Sequence, residues 1–297
     1  MNNKFNAMRT AYDLAFKNAF EAAPTTYEKF CMTVGDAAHT TIELPFLEQF
    51  ADMRRWVGAR QIKNLEGKML TMIEDAYEDT IGIPTRKIET DNWGVYMPAI
   101  QQMAVNGKVL WDKLAAEALI NAGTWLDDKP FFNTGRKYGD SVICNMTTAE
   151  LTAETFNTAY DTMSAYCGHK GVPLTVVPDT LIVGPALRSR AHEILVSQYT
   201  VDSTGKVTVE NPNKGLVEII INPRLVGKAA KNWYLACCKG PIKPIAIQKS
   251  KDAVLVSKNQ PTDEGVFMED QALFGTSAYG SAAPAFPHLL YGGIVTA

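Results

Sequence analysis

Few residues of this 297-residue sequence have the type and spacing that chemistry at a protein site requires. The four histidines stand apart from one another, and none lies in a His-Glu-x-x-His pattern or beside paired cysteines, so the ligand spacing of a metal site is missing. The glycine patterns that bind nucleotide phosphates and the Gly-x-Ser-x-Gly pattern of serine hydrolases are missing as well. The sequence therefore predicts no metal and no cofactor. The histidines are His39, His169, His192 and His288.

Cys167 and His169 are close enough in sequence to be considered as a nucleophile and its base. A thiol and its base must also meet in space, and alternate residues at a helix end do not face each other. A structural role is therefore favoured, and a thiol hydrolase built on this pair is a minor alternative. The five cysteines show no Cys-x-x-Cys spacing and are odd in number, so we expect small buried hydrophobic residues rather than a disulfide framework. They are Cys31, Cys144, Cys167, Cys237 and Cys238.

Neighbouring carboxylates occur at two places, Glu74 with Asp75 and Asp127 with Asp128. Such pairs can act as general acid and base, but both lie in polar stretches where hydrated surface charge is the simpler interpretation. The search for catalytic residues is therefore negative, and the sequence favours a structural protein over an enzyme.

The composition is that of an ordinary soluble protein, with 46% hydrophobic and 21% charged residues, and the length allows two modest domains. The polar N-terminal stretch lacks the apolar block of a secretion signal, so we expect a cytosolic protein. A formal charge of −3 and a pI near 5.9, with scattered Lys and Arg, argue against a protein whose main task is to bind nucleic acid.

The element that these residues are built around is a predicted amphipathic helix over residues 98–123. Pro98 suits the first turn of a helix, and Gly123 can adopt the left-handed conformation that closes its C-terminus. Gly107 in the middle predicts either close packing of a neighbouring backbone or a bend. The side expected to be wetter carries Gln101, Lys108, Asp112 and Lys113.

The first fifty residues hold a weak helix over 8–20, which Pro24 ends, and then a stretch with no sustained hydrophobic period. Such a stretch cannot form much of a core alone. Two interpretations stay open: an arm that gains order on other subunits, and an N-terminal layer of the same domain.

Residues 59–65 and 77–88 are predicted strands on either side of polar turn residues, and together they would form a long hairpin with little apolar cover. Because a two-stranded ribbon is only marginally stable alone in water, we expect this hairpin to pack against something outside its own domain. An ordinary surface hairpin folded onto the core is the alternative.

A second unit is predicted to begin near residue 148, where Thr148 could cap a helix over 149–168. A buried strand over 178–183 leads into a further helix, which indicates an α/β element. The C-terminal stretch is predicted to return to the first unit. Further strands are predicted over 215–221, 233–238 and 244–248.

Several of these stretches, taken in order, resemble the major head subunit of Mu-like tailed phages. Each alone is unspecific, whereas their order and spacing are distinctive, and the resemblance extends over nearly the whole chain from about residue 50. The end departs from the family pattern, because AFPHLLYGG stands where the family often closes with a Trp-bearing strand. The stretches are RRWVGARQIKNL (54–65), YEDTIGIPTRKIETDNWGVYMP (77–98), FFN (131–133), GVPLTVVPDTLIVGPAL (171–187), NPNKGLVEIIINPRL (211–225), WYLACCKGPIKPIAIQ (233–248) and VFMEDQALFG (266–275).

The resemblance implies an α+β protein with the Hong Kong 97-like major capsid fold. Some members of this superfamily crosslink covalently through their E-loop, but nothing in this sequence supports transferring that chemistry to Lys63 or Lys68. In this fold the chain would divide into an N-terminal arm (1–57), an extended E-loop hairpin (58–92), a peripheral domain (93–147) with its spine helix at 98–123, an axial domain (148–243) and a return to the peripheral sheet (244–297).

The resemblance also implies a function: the major capsid protein of a tailed bacteriophage or prophage, which self-assembles as hexamers and pentamers into an icosahedral head that encloses double-stranded DNA. Portal and scaffolding proteins would be its partners, with a decoration protein as a further candidate, no sequence-specific binding of the packaged DNA, no membrane, and assembly in the bacterial host cytoplasm. A cellular encapsulin-like compartment shell is the alternative. The candidate contacts between subunits are Arg54, Arg55, Trp56, Arg60, Lys63, Glu74, Asp75 and Glu78.

Overall fold

The computed structural model describes residues 2–35, 39–45, 69–90, 93–138, 141–168, 171–201, 208–260 and 263–295. The helices are α1 (Asn2–Ala22), α2 (Tyr27–Phe30), α3 (Thr85–Glu89), α4 (Met97–Ile120), α5 (Ala153–Ser164), α6 (Arg188–Leu195) and α7 (Glu264–Glu269). The strands are β1 (Cys31–Val34), β2 (Thr41–Pro45), β3 (Met69–Ile73), β4 (Asp75–Pro84), β5 (Arg136–Tyr138), β6 (Ser141–Ile143), β7 (Met146–Thr147), β8 (Thr180–Val183), β9 (Tyr199–Val201), β10 (Thr208–Glu210), β11 (Glu218–Ile221), β12 (Trp233–Ala236), β13 (Ile245–Lys258), β14 (Gln271–Pro284) and β15 (Leu290–Gly293). None of the helices in this described part is both long and apolar enough to cross a lipid bilayer.

A four-stranded sheet in the order β1-β13-β14-β4 forms one side of the molecule. The long strands β13 and β14 pair antiparallel, β4 pairs antiparallel with β14, and β1 runs parallel to β13. Along β14 buried and partly exposed residues alternate, as the two-residue period of a strand requires when one face of a sheet is covered. Phe274 on the covered face is fully buried, whereas Tyr279 on the other face is 37% exposed.

The predicted long helix is present as α4, and its length is explained by the two sheets that it joins. Its first half packs with Phe274 on the four-stranded sheet, and its second half contacts the second sheet, where the Tyr234 hydroxyl donates to the Leu119 carbonyl at 3.2 Å. Gly107 marks close packing, because a methyl group added there would lie 2.5 Å from the Ala253 Cβ of β13. Of the two interpretations of Gly107, the structure therefore supports a close neighbour.

Helix α1 packs along α4, with an apolar stripe that includes Phe5, Met8, Tyr12 and Phe16 buried against the same core. The Tyr12 ring meets the Phe274 ring edge-on, with centroids 5.0 Å apart. This helix is an N-terminal layer of the same body, which was one of the two open interpretations. The alternative, an arm covered only by other subunits, is wrong for α1, because the stripe is already buried within its own chain.

Strand β4, which lies largely within the predicted strand 77–88, packs against the body of its own chain. Strand β4 pairs with β14 along its whole length, from Pro84 opposite Gln271 to Asp75 opposite Gly280, and the chain then turns into α3. Strand β3 pairs with β2 instead. For residues 77–84 the structure supports the alternative, a strand folded onto the core of its own chain. Residues 59–65 lie outside the described residues, so their pairing stays a prediction.

A five-stranded sheet in the order β11-β8-β12-β15-β7 forms the second unit. Its central strands β8, β12 and β15 are buried at every position, as apolar runs covered on both faces should be. Strand β15 pairs with β12 here, so the prediction that residues 244–297 return to the first sheet is wrong for this last strand. The AFPHLLYGG stretch thus closes the second unit.

Helix α5 is shorter than predicted, because its N-terminal cap lies one turn later than Thr148. Thr152 and Thr155 form a reciprocal capping box, in which each side chain bonds the backbone N–H of the other. The strand predicted over 244–248 continues as the fourteen-residue β13.

Candidate assembly surface

Two of the cysteines considered for chemistry, Cys31 and Cys238, are buried in the part of the chain that the structure describes. No group of three or more His, Cys, Asp or Glu side chains is placed there to hold a metal ion. Burial raises the pKa of the Cys238 thiol to about 12 and that of Cys31 well above its ordinary value, so both stay protonated, whereas the thiolate is the nucleophilic form. The Cys167 thiol lies 3.6 Å from the Ala165 carbonyl, and His169 lies outside the described residues.

Asp127 belongs to a partly buried ionic cluster and is not a freely hydrated charge as predicted. Its carboxylate accepts a hydrogen bond from the guanidinium of Arg136, which is fully buried. The same guanidinium lies 4.6 Å from the Trp125 ring centroid and donates to the carbonyls of Pro130 and Phe131 at 2.6 and 3.2 Å. These contacts fix the loop after α4.

Asp112 was placed on the wet side of the long helix, and that assignment is wrong. Its side chain is 8% exposed, and one carboxylate oxygen accepts from the Thr26 and Tyr27 backbone N–H groups at 2.9 and 2.7 Å and from the Thr26 hydroxyl at 2.8 Å. It therefore caps α2 from a distant part of the chain. Asp179, which the sequence did not single out, plays a similar role by accepting from the backbone N–H groups of Cys238 and Lys239, both at 2.9 Å.

The candidate contact residues divide into two groups. Arg54, Arg55, Trp56, Arg60 and Lys63 lie outside the described residues. Glu74, Asp75 and Glu78 stand together at the start of β4. Asp75 and Glu78 are exposed, and the Glu78 carboxylate accepts from the Thr80 hydroxyl at 2.8 Å. Glu74 is half-buried, and its backbone N–H donates to the Thr40 carbonyl at 3.1 Å.

Strand β4 is the outermost strand of its sheet, so one row of its backbone groups has no neighbouring strand within the described chain. Open edges of this kind can pair with other chains, and charged side chains on them restrict which chains can do so. The charges near this edge are acidic. They act on Tyr77, whose pKa is raised first by burial and then by the nearby carboxylates of Asp75 and Glu117. The edge therefore disfavours pairing with a second acidic strand.

Two clefts flank Tyr77 between β4 and α4. The first cleft has a volume of about 310 Å³ and is lined by residues that include Asp79, Gly107 and Leu110. The second has a volume of about 360 Å³ and is lined by residues that include Asp75 and Glu117. We call these two clefts together the α4–β4 groove. Its apolar floor and acidic walls suit a segment that is both apolar and basic.

Two family models match this chain. The model described as "Mu-like prophage major head subunit gpT" matches residues 5–147, and the model described as "Phage capsid protein" matches residues 80–286, which is more than half of the chain. The chain belongs to the phage capsid protein family. The resemblance to Mu-like head subunits drawn from the sequence is thereby confirmed.

Individual relatives of this phage capsid protein agree with the family models. The major capsid protein of Escherichia phage Mu is 23% identical over 280 residues, which cover 94% of this chain and 70% of the phage Mu protein. The solved procapsid of bacteriophage JBD30 matches with a TM-score of 0.60 at 20% identity, over 98% of this chain and 75% of the JBD30 chain. The JBD30 capsid decorated with minor capsid protein trimers matches with a TM-score of 0.55 at 22% identity, over 67% of this chain and 90% of that chain.

The structural likenesses establish the fold, so the α+β, Hong Kong 97-like capsid fold expected from the sequence is confirmed. For this phage capsid protein the functional surfaces are those that contact other copies. Asp75 is one predicted contact residue that lines the α4–β4 groove, and Glu78 is another. Sequence reasoning missed Asp79 and Glu117, because their proximity depends on how α4 crosses the sheet.

Proposed function

We propose that this major capsid protein self-assembles as hexamers and pentamers into the icosahedral head of a tailed phage or prophage, which encloses double-stranded DNA. The match of the phage capsid family model to residues 80–286 carries this proposal, and the likeness to the phage Mu major capsid protein over 94% of the chain supports it. The matching family models and curated relatives are phage and prophage head proteins, so the cellular compartment shell is not favoured. A structural, non-enzymatic role is proposed on the same grounds.

Assembly of such a shell rests on many modest contacts. Identical copies meet through different patches on their two sides, and closed shells arise because rings of five and six copies can be combined. Single exposed ion pairs contribute only about 0–1 kcal/mol each, so specificity requires several contacts acting together. The open β4 edge and the α4–β4 groove are surfaces of the kind that this mode of assembly needs.

The domain roles are part of the proposal. In it, α4 and the four-stranded sheet form the peripheral domain, and the five-stranded sheet with α5 and α6 forms the axial domain around the centre of each ring. Residues 46–68 would serve as the contact loop toward neighbouring subunits. Portal and scaffolding proteins would join during assembly in the host cytoplasm, and a decoration protein on the outside would parallel the minor capsid protein trimers on the JBD30 capsid.

The proposal is tested by the size of the particles that the protein forms. Gel filtration and negative-stain microscopy of the purified chain should show ring-shaped capsomers or megadalton shells instead of a 32.6 kDa species. A protein that stays monomeric at every concentration, with or without a scaffolding partner, would contradict the proposal.

A loop deletion identifies the contact segment within the same experiment. Because Pro45 and Met69 are register partners in the β2–β3 ladder, residues 46–68 can be replaced by an Asn-Gly turn without removing β3 or β4. The shortened chain should fold and fail to form shells. Deleting residues 58–91 would be a poor test, because it removes β4 from the sheet.

A further inference from the structure

The α4–β4 groove carries carboxylates at both of its ends. Asp75, Tyr77 and Asp79 lie on one face of β4, because successive side chains of a strand alternate between its faces. Asp79 lines the first cleft, Asp75 lines the second, and Tyr77 lines both. Four residues of strand separate the Cα atoms of the two aspartates by about 13 Å. Glu117 of α4 lies in the second cleft with Asp75, so two acidic ends flank an aromatic ring.

The floor between the two acidic ends is apolar. Ala278 of β14 is the register partner of Tyr77, and it lines the first cleft. Leu110 and Leu114 of α4 line the groove from the other side, and Gly107 adds no side chain there. Such a floor suits an unbranched chain of methylene groups, as it would suit the aliphatic stem of a lysine.

Thr276 supplies an observation that is independent of the acidic side chains. It is the register partner of Asp79, so the two side chains are close neighbours on adjacent strands. Thr276 is 6% exposed, lines the first cleft, and its hydroxyl makes no hydrogen bond within the described chain. Buried hydroxyls are normally bonded. An ammonium group has three N–H donors, so one placed beside Asp79 could also donate to this hydroxyl.

The charge of the groove favours a cation with more than one positive charge. Four carboxylates line the two clefts, against the cationic side chains of Lys113 and Arg224. Lys113 lies 3.9 Å from the Glu117 carboxylate, and both side chains are about half exposed, so water weakens this ion pair. An excess of two negative charges remains for a ligand.

We propose that the α4–β4 groove is a binding site for a linear aliphatic polyamine. One terminal ammonium lies between Asp79 and Thr276, the other lies at Asp75 and Glu117, and an inner amine lies against the Tyr77 ring. Such amines are protonated at neutral pH, as the lysine side chain is. The inference goes beyond the proposed function, because it adds a small-molecule ligand and does not depend on assembly.

Isothermal titration calorimetry of the full chain with spermidine tests the site. We expect saturable binding of one spermidine per chain. Putrescine is too short to join the two acidic ends, so it should bind about tenfold more weakly. A diamine with an eight-carbon chain matches the length of spermidine but lacks the inner amine, and its affinity should lie between the two. Equal affinities for spermidine, putrescine and magnesium ions at one ionic strength would mean a diffuse acidic surface and would overturn the proposal.

Substitutions at the two ends locate the ligand. Asp79→Asn preserves the shape of the side chain and removes its charge, so it should weaken spermidine binding by about tenfold. Asp75→Asn combined with Glu117→Gln should do the same at the other end. Glu74→Gln is the matched control, since Glu74 precedes β4 and lines neither cleft, and it should leave the affinity unchanged. Equal losses in the control and in the groove variants would contradict the site.

Thr276→Val keeps the test decisive if the acidic variants do not fold. It preserves the net charge and removes the hydroxyl that lacks a partner, so the melting temperature of the ligand-free chain should rise. The affinity for spermidine should nevertheless fall by about threefold or more. An unchanged affinity would overturn the placement of the ammonium group.

The outcome for the polyamine site is separate from the outcome for the proposed function. A chain that forms shells but binds no spermidine would remove this inference and leave the proposed function standing. A chain that binds spermidine as described but never assembles would do the reverse.

Discussion

Asp112 is a single carboxylate that joins the N-terminal segment to the long helix. Three donors, two of them backbone N–H groups of α2 and the residue before it, converge on one of its oxygens. We expect Asp112→Ala to lower the free energy of unfolding by about 2–3 kcal/mol, because buried donors would lose their acceptor. Urea denaturation measures this change. Asp112→Asn, which keeps an acceptor oxygen, should cost less, and Lys113→Ala at the adjacent, partly exposed position should be close to neutral. Equal effects of all three would contradict the capping role.

His288 makes the stability of the fold depend on pH. It is 3% exposed in the turn before β15, and burial lowers its pKa from 6.5 to about 4. Between these two values the unfolded chain binds a proton that the folded chain excludes, so this contribution to stability is complete above pH 6.5 and is lost as the pH falls toward 4. The loss can reach about 3 kcal/mol.

Comparing the wild-type chain with His288→Gln isolates this contribution from the carboxylates, which titrate in both. The free energy of unfolding should fall less steeply between pH 6.5 and 4 in the variant than in the wild type. Parallel curves for the two proteins would show that the histidine does not resist protonation.

At the level of secondary structure, the absence of a side chain at Gly107 allows α4 to approach β13 closely. An alanine would favour the helix by up to about 1 kcal/mol, but its methyl would lie 2.5 Å from the Ala253 Cβ, which is closer than carbon atoms pack. We expect Gly107→Ala to destabilise the subunit by about 1–3 kcal/mol because helix and sheet must separate.

A double-mutant cycle checks the origin of this effect. Adding Ala253→Gly removes the opposing methyl, so the double variant should be more stable than the sum of the two single changes predicts. Gly94→Ala is the control, since no described atom lies within 4 Å of the added methyl. Additive losses in the cycle would mean that the close approach is not the cause.

The elements differ in how far the sequence predicts them. Helix α4 was predicted nearly to its ends, because its apolar period and its terminal Pro98 and Gly123 are local signals. The pairing of β4 with β14 joins residues far apart in the chain, and no local pattern encodes that partner. Asp75 and Glu78 of β4 were proposed from sequence as contact residues, whereas Asp79 was missed and the addition of Glu117 required the crossing of α4 over the sheet.

At the scale of the whole molecule, β13, β14 and β15 connect the two sheets. Strands β13 and β14 build the first sheet, and the chain passes through buried Phe286 and His288 before β15 enters the second. Helix α4 makes the same connection from the other side. The two sheets are thus joined by the chain and by a common core. Because the sequence pattern of each unit is local, it did not predict that the last strand, β15, pairs with β12 in the second sheet.

In the proposed function the head encloses DNA, and the net charge of the subunit then sets how strongly its surface binds that DNA. The formal charge is −3, and several cationic side chains of the described surface lie beside carboxylates, such as Lys29 with Glu218 at 2.5 Å and Lys231 with Glu150 at 2.8 Å. Affinity for duplex DNA grows with the number of phosphates neutralised, so we expect no measurable binding of the free subunit below about 100 μM at physiological salt.

Fluorescence anisotropy with a labelled duplex measures this affinity. A variant with Glu74→Lys, Glu154→Lys and Asp161→Lys gains six charge units, from −3 to +3, and should show weak binding that disappears as salt rises. Tight, steeply salt-dependent binding by the unchanged subunit would contradict the expectation that the wall of the proposed head does not retain packaged DNA. Weak binding by the wild type and measurable binding by the variant would mean that low affinity for DNA is set by the balance of surface charge.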